Sequence, residues 1–101
     1  NVFKNQLMLF NKPVDVFIEY CIQETIETNN ILSADMHKAF KVWADTNEID
    51  CGDYIDARKF HGEFKNCLNA RGIEYEYKKN NVYRYYGVGL VDNYKEQVPA
   101  C

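Results

Sequence analysis

No C-x-x-C pair occurs in this chain, and His37 and His61 are its only histidines. The ligand spacings of zinc sites are therefore missing, and no metal is expected. No apolar run approaches the roughly 20 residues that a membrane span needs, so the chain reads as soluble, without a membrane partner. A phosphate-binding glycine loop, a dinucleotide fingerprint and a nucleophile elbow are absent too, because Gly87 and Gly89 have no following helix to hold a phosphate. No cofactor is implied. Opening on Asn1 without a basic-then-apolar leader, the sequence reads as a piece of a longer protein, not as a precursor with a signal peptide.

What is present is enough for one packed domain. The 101 residues are 47% hydrophobic and 15% aromatic, too short for two ordinary cores and too apolar for disorder. Cys21, Cys51, Cys67 and Cys101 allow three disulfide pairings. Cys21 and Cys67 both fall on apolar helical faces, where a free thiol behaves as a small hydrophobe. A reducing, intracellular compartment is therefore expected over a secreted disulfide fold.

The net charge of -3 conceals a strong segregation. Residues 1–55 carry four basic and nine acidic side chains, whereas residues 56–86 carry seven basic and four acidic ones. Asymmetry of this kind turns one face toward an anion.

Hydrophobic spacing predicts a first helix over about 13–26, with Pro13 in its first turn and Val14, Phe17, Ile18, Cys21 and Ile22 on one stripe. The polar "ETNN" after it reads as a loop. Ser33 is placed to cap a second helix over about 34–46, which repeats Met36, Ala39, Phe40 and Trp43. "TNEIDCGDY" reads as a connection with a short extended piece near Tyr54 and Ile55.

Asp56 is placed to cap a third helix, with Ile55 and Phe60 spaced for a hydrophobic staple and Gly72 as its stop. Ala57, Phe60, Phe64, Cys67 and Leu68 share the apolar face. At about 100° per residue, Arg58, Gly62, Lys65 and Asn69 line the outward face, with Lys59, His61 and Asn66 at its edges.

"IEYEYKK" and "VYRYYGVGLV" then alternate as strands around an Asn80-Asn81 turn. A two-residue turn sets Ile73 opposite Val88, Tyr75 opposite Tyr86 and Tyr77 opposite Arg84. Tyr83 and Tyr85 then fall on the polar side, where base stacking competes with cross-strand packing. Residues after about Asp92 read as a frayed tail.

The acids of "DTNEIDCGDYID" do not form a calcium loop, since Asp50 stands where the turn glycine belongs and Asp56 where the bidentate Glu belongs. Cys67 and His61 project to different faces of the third helix, which excludes them as a nucleophile and base. No catalytic residue is assigned. Both histidines read as surface or edge residues, and Trp43 and Met36 as core.

The remaining constellation is a basic helix face followed by a hairpin with a basic tip. Arg58, Lys59, Lys65 and Asn69 can meet phosphates and base edges in a groove of duplex or forked DNA, Gly62 lets the backbone come close, and Lys78, Lys79 and Arg84 can grip adjacent phosphates.

The segments "DVFIEYC" (15–21), "DMHKAFKVW" (35–43), "RKFHGEF" (58–64) and "YRYYGVGL" (83–90) resemble, in order and spacing, the C-terminal winged-helix domain of phage, plasmid and large-DNA-virus (poxvirus-type) primase-helicases. Phe40, Trp43 and Phe60 match core positions, and Gly87 and Leu90 the closing strand; His37 stands where the family usually has Tyr. The resemblance implies an α+β fold, a winged helix-turn-helix of three helices followed by a C-terminal β-hairpin wing. The expected division is an N-terminal extension or linker over 1–12, the winged-helix domain over 13–91 and a C-terminal tail over 92–101. The resemblance further implies a non-catalytic, DNA-binding appendage, with DNA and the helicase domain of the same parent chain as partners and any NTPase site upstream. The expected setting is host cytoplasm during viral or phage replication, or the bacterial cytoplasm. A protein-interaction module docking on a helicase subunit or replication partner is the alternative.

Overall fold

The computed structural model describes residues 12–97. The expected linker, apart from Lys12, and the last residues including Cys101 lie outside the described residues. Three helices, α1 (Pro13–Cys21), α2 (Ser33–Thr46) and α3 (Ala57–Ala70), pack beside two small antiparallel sheets. Strands β1 (Ile22–Glu24) and β5 (Val88–Leu90) form one sheet. The other has the order β2-β4-β3, built from β2 (Asn30–Leu32), β3 (Glu76–Asn80) and β4 (Val82–Tyr86). This is an α+β arrangement, compatible with a winged-helix-like fold.

The helical stripes meet in one aromatic core. Phe17 of α1 packs edge-on against Phe40 of α2, with ring centroids 5.5 Å apart. Phe60 and Phe64 of α3 stack at 5.2 Å. Trp43 is fully buried, and its indole N–H donates to the Gln97 carbonyl at 2.8 Å. Cys21 and Cys67 are buried free thiols, as the apolar stripes predicted, and burial pushes both up to about 12. Arg71 joins α3 to α1 through Asp15, at 2.9 Å.

The ends of elements depart from expectation wherever a distant partner intervenes. The first helix stops at Cys21, because Ile22, Gln23 and Glu24 pair with Leu90, Gly89 and Val88. Asn30, at the end of the expected "ETNN" loop, begins a strand that pairs with β4. Ser33 is the first residue of α2, not its cap, since Leu32 is still in β2 and supplies no side-chain hydrogen bond. Residues Gly52–Ile55 form a 3₁₀ turn where an extended piece was expected. Ile55 is 67% exposed, so no tight staple closes over the buried Phe60.

Other local signals hold. Asp56 caps α3 by accepting from the Lys59 backbone N–H at 3.1 Å. Gly72 ends it at φ +71. The Gly72 and Ile73 amides bond back to Asn69 and Leu68, the pattern of a left-handed helix stop. The expected frayed tail is ordered as far as Gln97: a 3₁₀ turn at Tyr94–Glu96 gives the Tyr94 carbonyl to Cys21 and the Lys95 carbonyl to Asn47.

The hairpin carries the largest correction. Asn80 pairs with Val82, so Asn81 alone turns the chain, at φ +67. Tyr77 consequently faces Tyr85, and Lys78 faces Arg84. Side chains alternate with a period of two, so a one-residue slip exchanges the faces. Tyr85, expected on the polar side, is fully buried, while Tyr86, expected in the core, is half-buried. Gly87, at φ +86, then redirects the chain from β4 into β5.

Tyr85 joins the hairpin to α3. Its ring meets Phe64 edge-on at 5.1 Å, and its hydroxyl lies 2.7 Å from His61 Nδ1. His37 is buried against Phe60 at 4.8 Å and bonded to the Tyr54 carbonyl through Nε2, not at the surface as expected. Burial first, then the neighbouring His37 and Lys65, lowers His61 to about 4.

Two outcomes follow from this joint. Tyr85→Ala is expected to lower the unfolding free energy by about 3–5 kcal/mol, and Tyr85→Phe, which strips His61 of its partner, by about 1–3 kcal/mol. Urea titration followed by Trp43 fluorescence measures both. The His61 contribution is complete above the ordinary histidine value of 6.5. As pH falls from there toward about 4, the unfolded chain takes up a proton that the folded chain resists, so stability drops across that window. His61→Gln should flatten the stability profile over the same range.

Candidate nucleic-acid interface

The outer face of α3 begins next to its cap. Arg58 and Lys59 are exposed, and neither forms an ion pair among the described residues. Gly62, one turn on, is exposed, and a Cβ built there would meet nothing within 4 Å. That row is open to a flat or convex partner. The Lys59 backbone N–H, the Arg58 backbone N–H and the charges of both side chains hold the Asp56 carboxyl below the usual carboxylate range. The cap therefore sets one negative charge beside the two cations.

Lys65 continues the row but is tied down. Its ammonium lies 3.4 Å above the centre of the Tyr77 ring, and burial lowers its pKa. The contact links α3 to the hairpin and keeps the charge at their junction. Asn69, at the far end, lies beside the Tyr75 hydroxyl and lines a groove of about 660 Å³. Glu24, Glu27, Glu74 and Glu76 line the same groove. The helix face thus runs from cationic at Arg58 to acidic surroundings at Asn69.

The hairpin divides the other predicted residues. His61 and Lys65 of α3 rest on Tyr85 and Tyr77, and alternation places Lys79 and Tyr83 on that same side. Lys78 and Arg84 face each other across the strands on the opposite side. Two like charges directly opposite are unfavourable, and each has its own compensation. Lys78 lies 3.5 Å from Glu76 and 4.6 Å from the Tyr86 ring centre. Arg84 donates to the Asn30 side-chain oxygen at 2.9 Å and the Asn80 carbonyl at 3.4 Å.

The structure therefore brings Lys65 against the hairpin through Tyr77, leaves Arg58, Lys59 and Gly62 exposed on α3, and puts Lys79 on the hairpin face that bears Tyr77. It sets Lys78 and Arg84 across the sheet, and Asn69 at the acidic end. Sequence reasoning missed the part played by Asn30 in holding Arg84, because that contact needs β2 to pair with β4. It also missed the parallel stacking of Tyr83 on Tyr77, with centroids 5.0 Å apart and planes 7° from parallel. Lys79 opposite Tyr83 is the local signal, once the turn is read as a single residue.

Among the described residues, no helix is long and apolar enough to cross a membrane. No curated protein and no solved structure matches the chain at a significant level. A family model described as Poxvirus D5 protein-like matches residues 10–99. With nearly the whole sequence covered by that match, the chain belongs to the poxvirus D5 protein-like family.

Proposed function

We propose that this chain is the DNA-binding winged-helix appendage of a viral replicative primase-helicase. The observation that carries this reading is the row of Arg58, Lys59 and Gly62, exposed on α3 and free of ion pairs among the described residues, with Lys65 continuing it to the hairpin. Unpaired cations on a helix of this width can neutralise phosphates on both banks of a major groove. Gly62 removes the side chain that would hold the helix axis away from the duplex. Lys79, exposed on the hairpin face that bears Tyr77, adds a cation from the wing. Lys78 and Arg84, across the sheet, serve a separate stretch of backbone. Membership in the poxvirus D5 protein-like family supports a role in viral replication. In this reading the chain contributes no catalytic residue, and NTP hydrolysis belongs to other parts of the parent protein.

Salt dependence tests the proposal. Affinity for a short duplex should fall linearly as log salt rises, and each phosphate contact removed should flatten that slope by about 1. Arg58→Ala with Lys59→Ala should flatten it by about 2, and Lys78→Ala by less than one contact. No measurable binding in low salt refutes the DNA role.

One observation favours a second reading, in which the domain docks on a replication partner. The groove bounded by Glu24, Glu27, Glu74 and Glu76 is complementary to a basic protein surface. Under that reading, Glu74→Lys with Glu76→Lys changes elution together with a helicase subunit on size exclusion, and leaves the DNA salt slope as it was.

A further inference from the structure

Tyr83 is 48% exposed and Val82 49%, at the turn of the wing. Both are among the four large hydrophobic side chains exposed within residues 12–97, the others being Ile26 and Ile55. Exposed strand positions of this kind usually carry charged side chains that deter edge pairing. Tyr83 instead offers a flat aromatic surface, and its orientation is fixed. One face lies parallel on Tyr77, and no other ring contacts it among the described residues. Tyr77 is itself held by Tyr85 at 4.8 Å and by the Lys65 ammonium at 3.4 Å. Tyr85 in turn is buried under α3. The result is a chain of ring contacts running from the buried Tyr85 through Tyr77 to the exposed Tyr83.

We propose that the free face of Tyr83 is a stacking platform for one unpaired nucleobase, so that the wing recognises the junction between single- and double-stranded DNA. This rests on the DNA-binding reading and names the structure within DNA that the domain selects. Bases inside a continuous duplex hide both π faces in their own stack, so Tyr83 has nothing to stack on there. A base splayed from the stack at a fork exposes such a face, and aromatic stacking accepts it regardless of sequence. Charge complementarity supports that occupant over an apolar one. Lys79 lies directly opposite Tyr83 on β3, and one ring separates Tyr83 from the Lys65 ammonium. The phosphate attached to a splayed base thus meets Lys79 on the neighbouring strand, while Lys65 holds the Tyr77 ring on which Tyr83 rests.

The test compares the 101-residue chain on a blunt duplex and on a forked duplex carrying 2-aminopurine at its first unpaired position. The unaltered chain should prefer the fork and change the 2-aminopurine emission. Tyr83→Ala should reduce the fork-to-duplex affinity ratio about fivefold or more and abolish the emission change. Tyr83→Phe, which keeps the π face, should retain both, and thermal unfolding verifies that each variant is folded. Duplex binding with a normal salt slope but no fork preference, or a preference indifferent to Tyr83→Ala, overturns this inference and leaves the DNA-binding reading standing. A shift of Tyr83→Ala to lower mass on size exclusion, with an unchanged fork ratio, overturns it in favour of self-association through the wing. Loss of all DNA binding by the unaltered chain overturns both.

Discussion

The placement of the hairpin against α3 depends on one buried tyrosine. Tyr85 lies at the junction of β4 with α3, its ring against Phe64 and its hydroxyl on His61. Strands β3 and β4 share a small sheet with the three-residue β2, and Tyr85 ties that sheet to α3. Tyr85 supplies a large apolar area together with a polar tip that is satisfied. Because it enters the core from the side that also bears Tyr77, Tyr83 and Lys79, it decides which residues of the hairpin look along α3 and which look away.

That geometry sorts the charges. Seven basic residues fall within 56–86, yet they do not act as one patch. Arg71 is engaged with Asp15 and Glu19 of α1. Lys65 is placed over an aromatic ring, and Lys78 and Arg84 are turned to the far side of the sheet with their own partners. Arg58, Lys59 and Lys79 remain for an external anion, and the glutamates of the groove lie toward the other end of α3. The helix is therefore polar along its length, cationic near Arg58 and acidic in the surroundings of Asn69. A chain of net negative charge thus presents a local cationic surface.

Helix positions were legible because each follows from contacts three or four residues apart. Phe60, Phe64, Cys67 and Leu68 define their stripe without reference to the rest of the chain, and Asp56 and Gly72 mark its limits through backbone bonds of the same short range. The outward placement of Arg58, Lys59 and Gly62 is the complement of that stripe, so this part of the candidate site could be read as well. His37 could not. It lies next to the Met36 stripe, and its burial depends on the Tyr54 carbonyl arriving from the 3₁₀ turn.

By itself, the sequence determined the three helices, the presence of a hairpin, the burial of Cys21 and Cys67 and the side of α3 that carries positive charge, since local periodicity encodes each of these. Tertiary structure alone decided the register of the hairpin, the strands at Ile22–Glu24 and Asn30–Leu32, and the separation of Lys79 from Lys78 and Arg84. The physical reason is the period of a strand. Alternation fixes two faces but does not say which is inward, and the choice between Tyr85 and Tyr86 is made by the space left beneath α3.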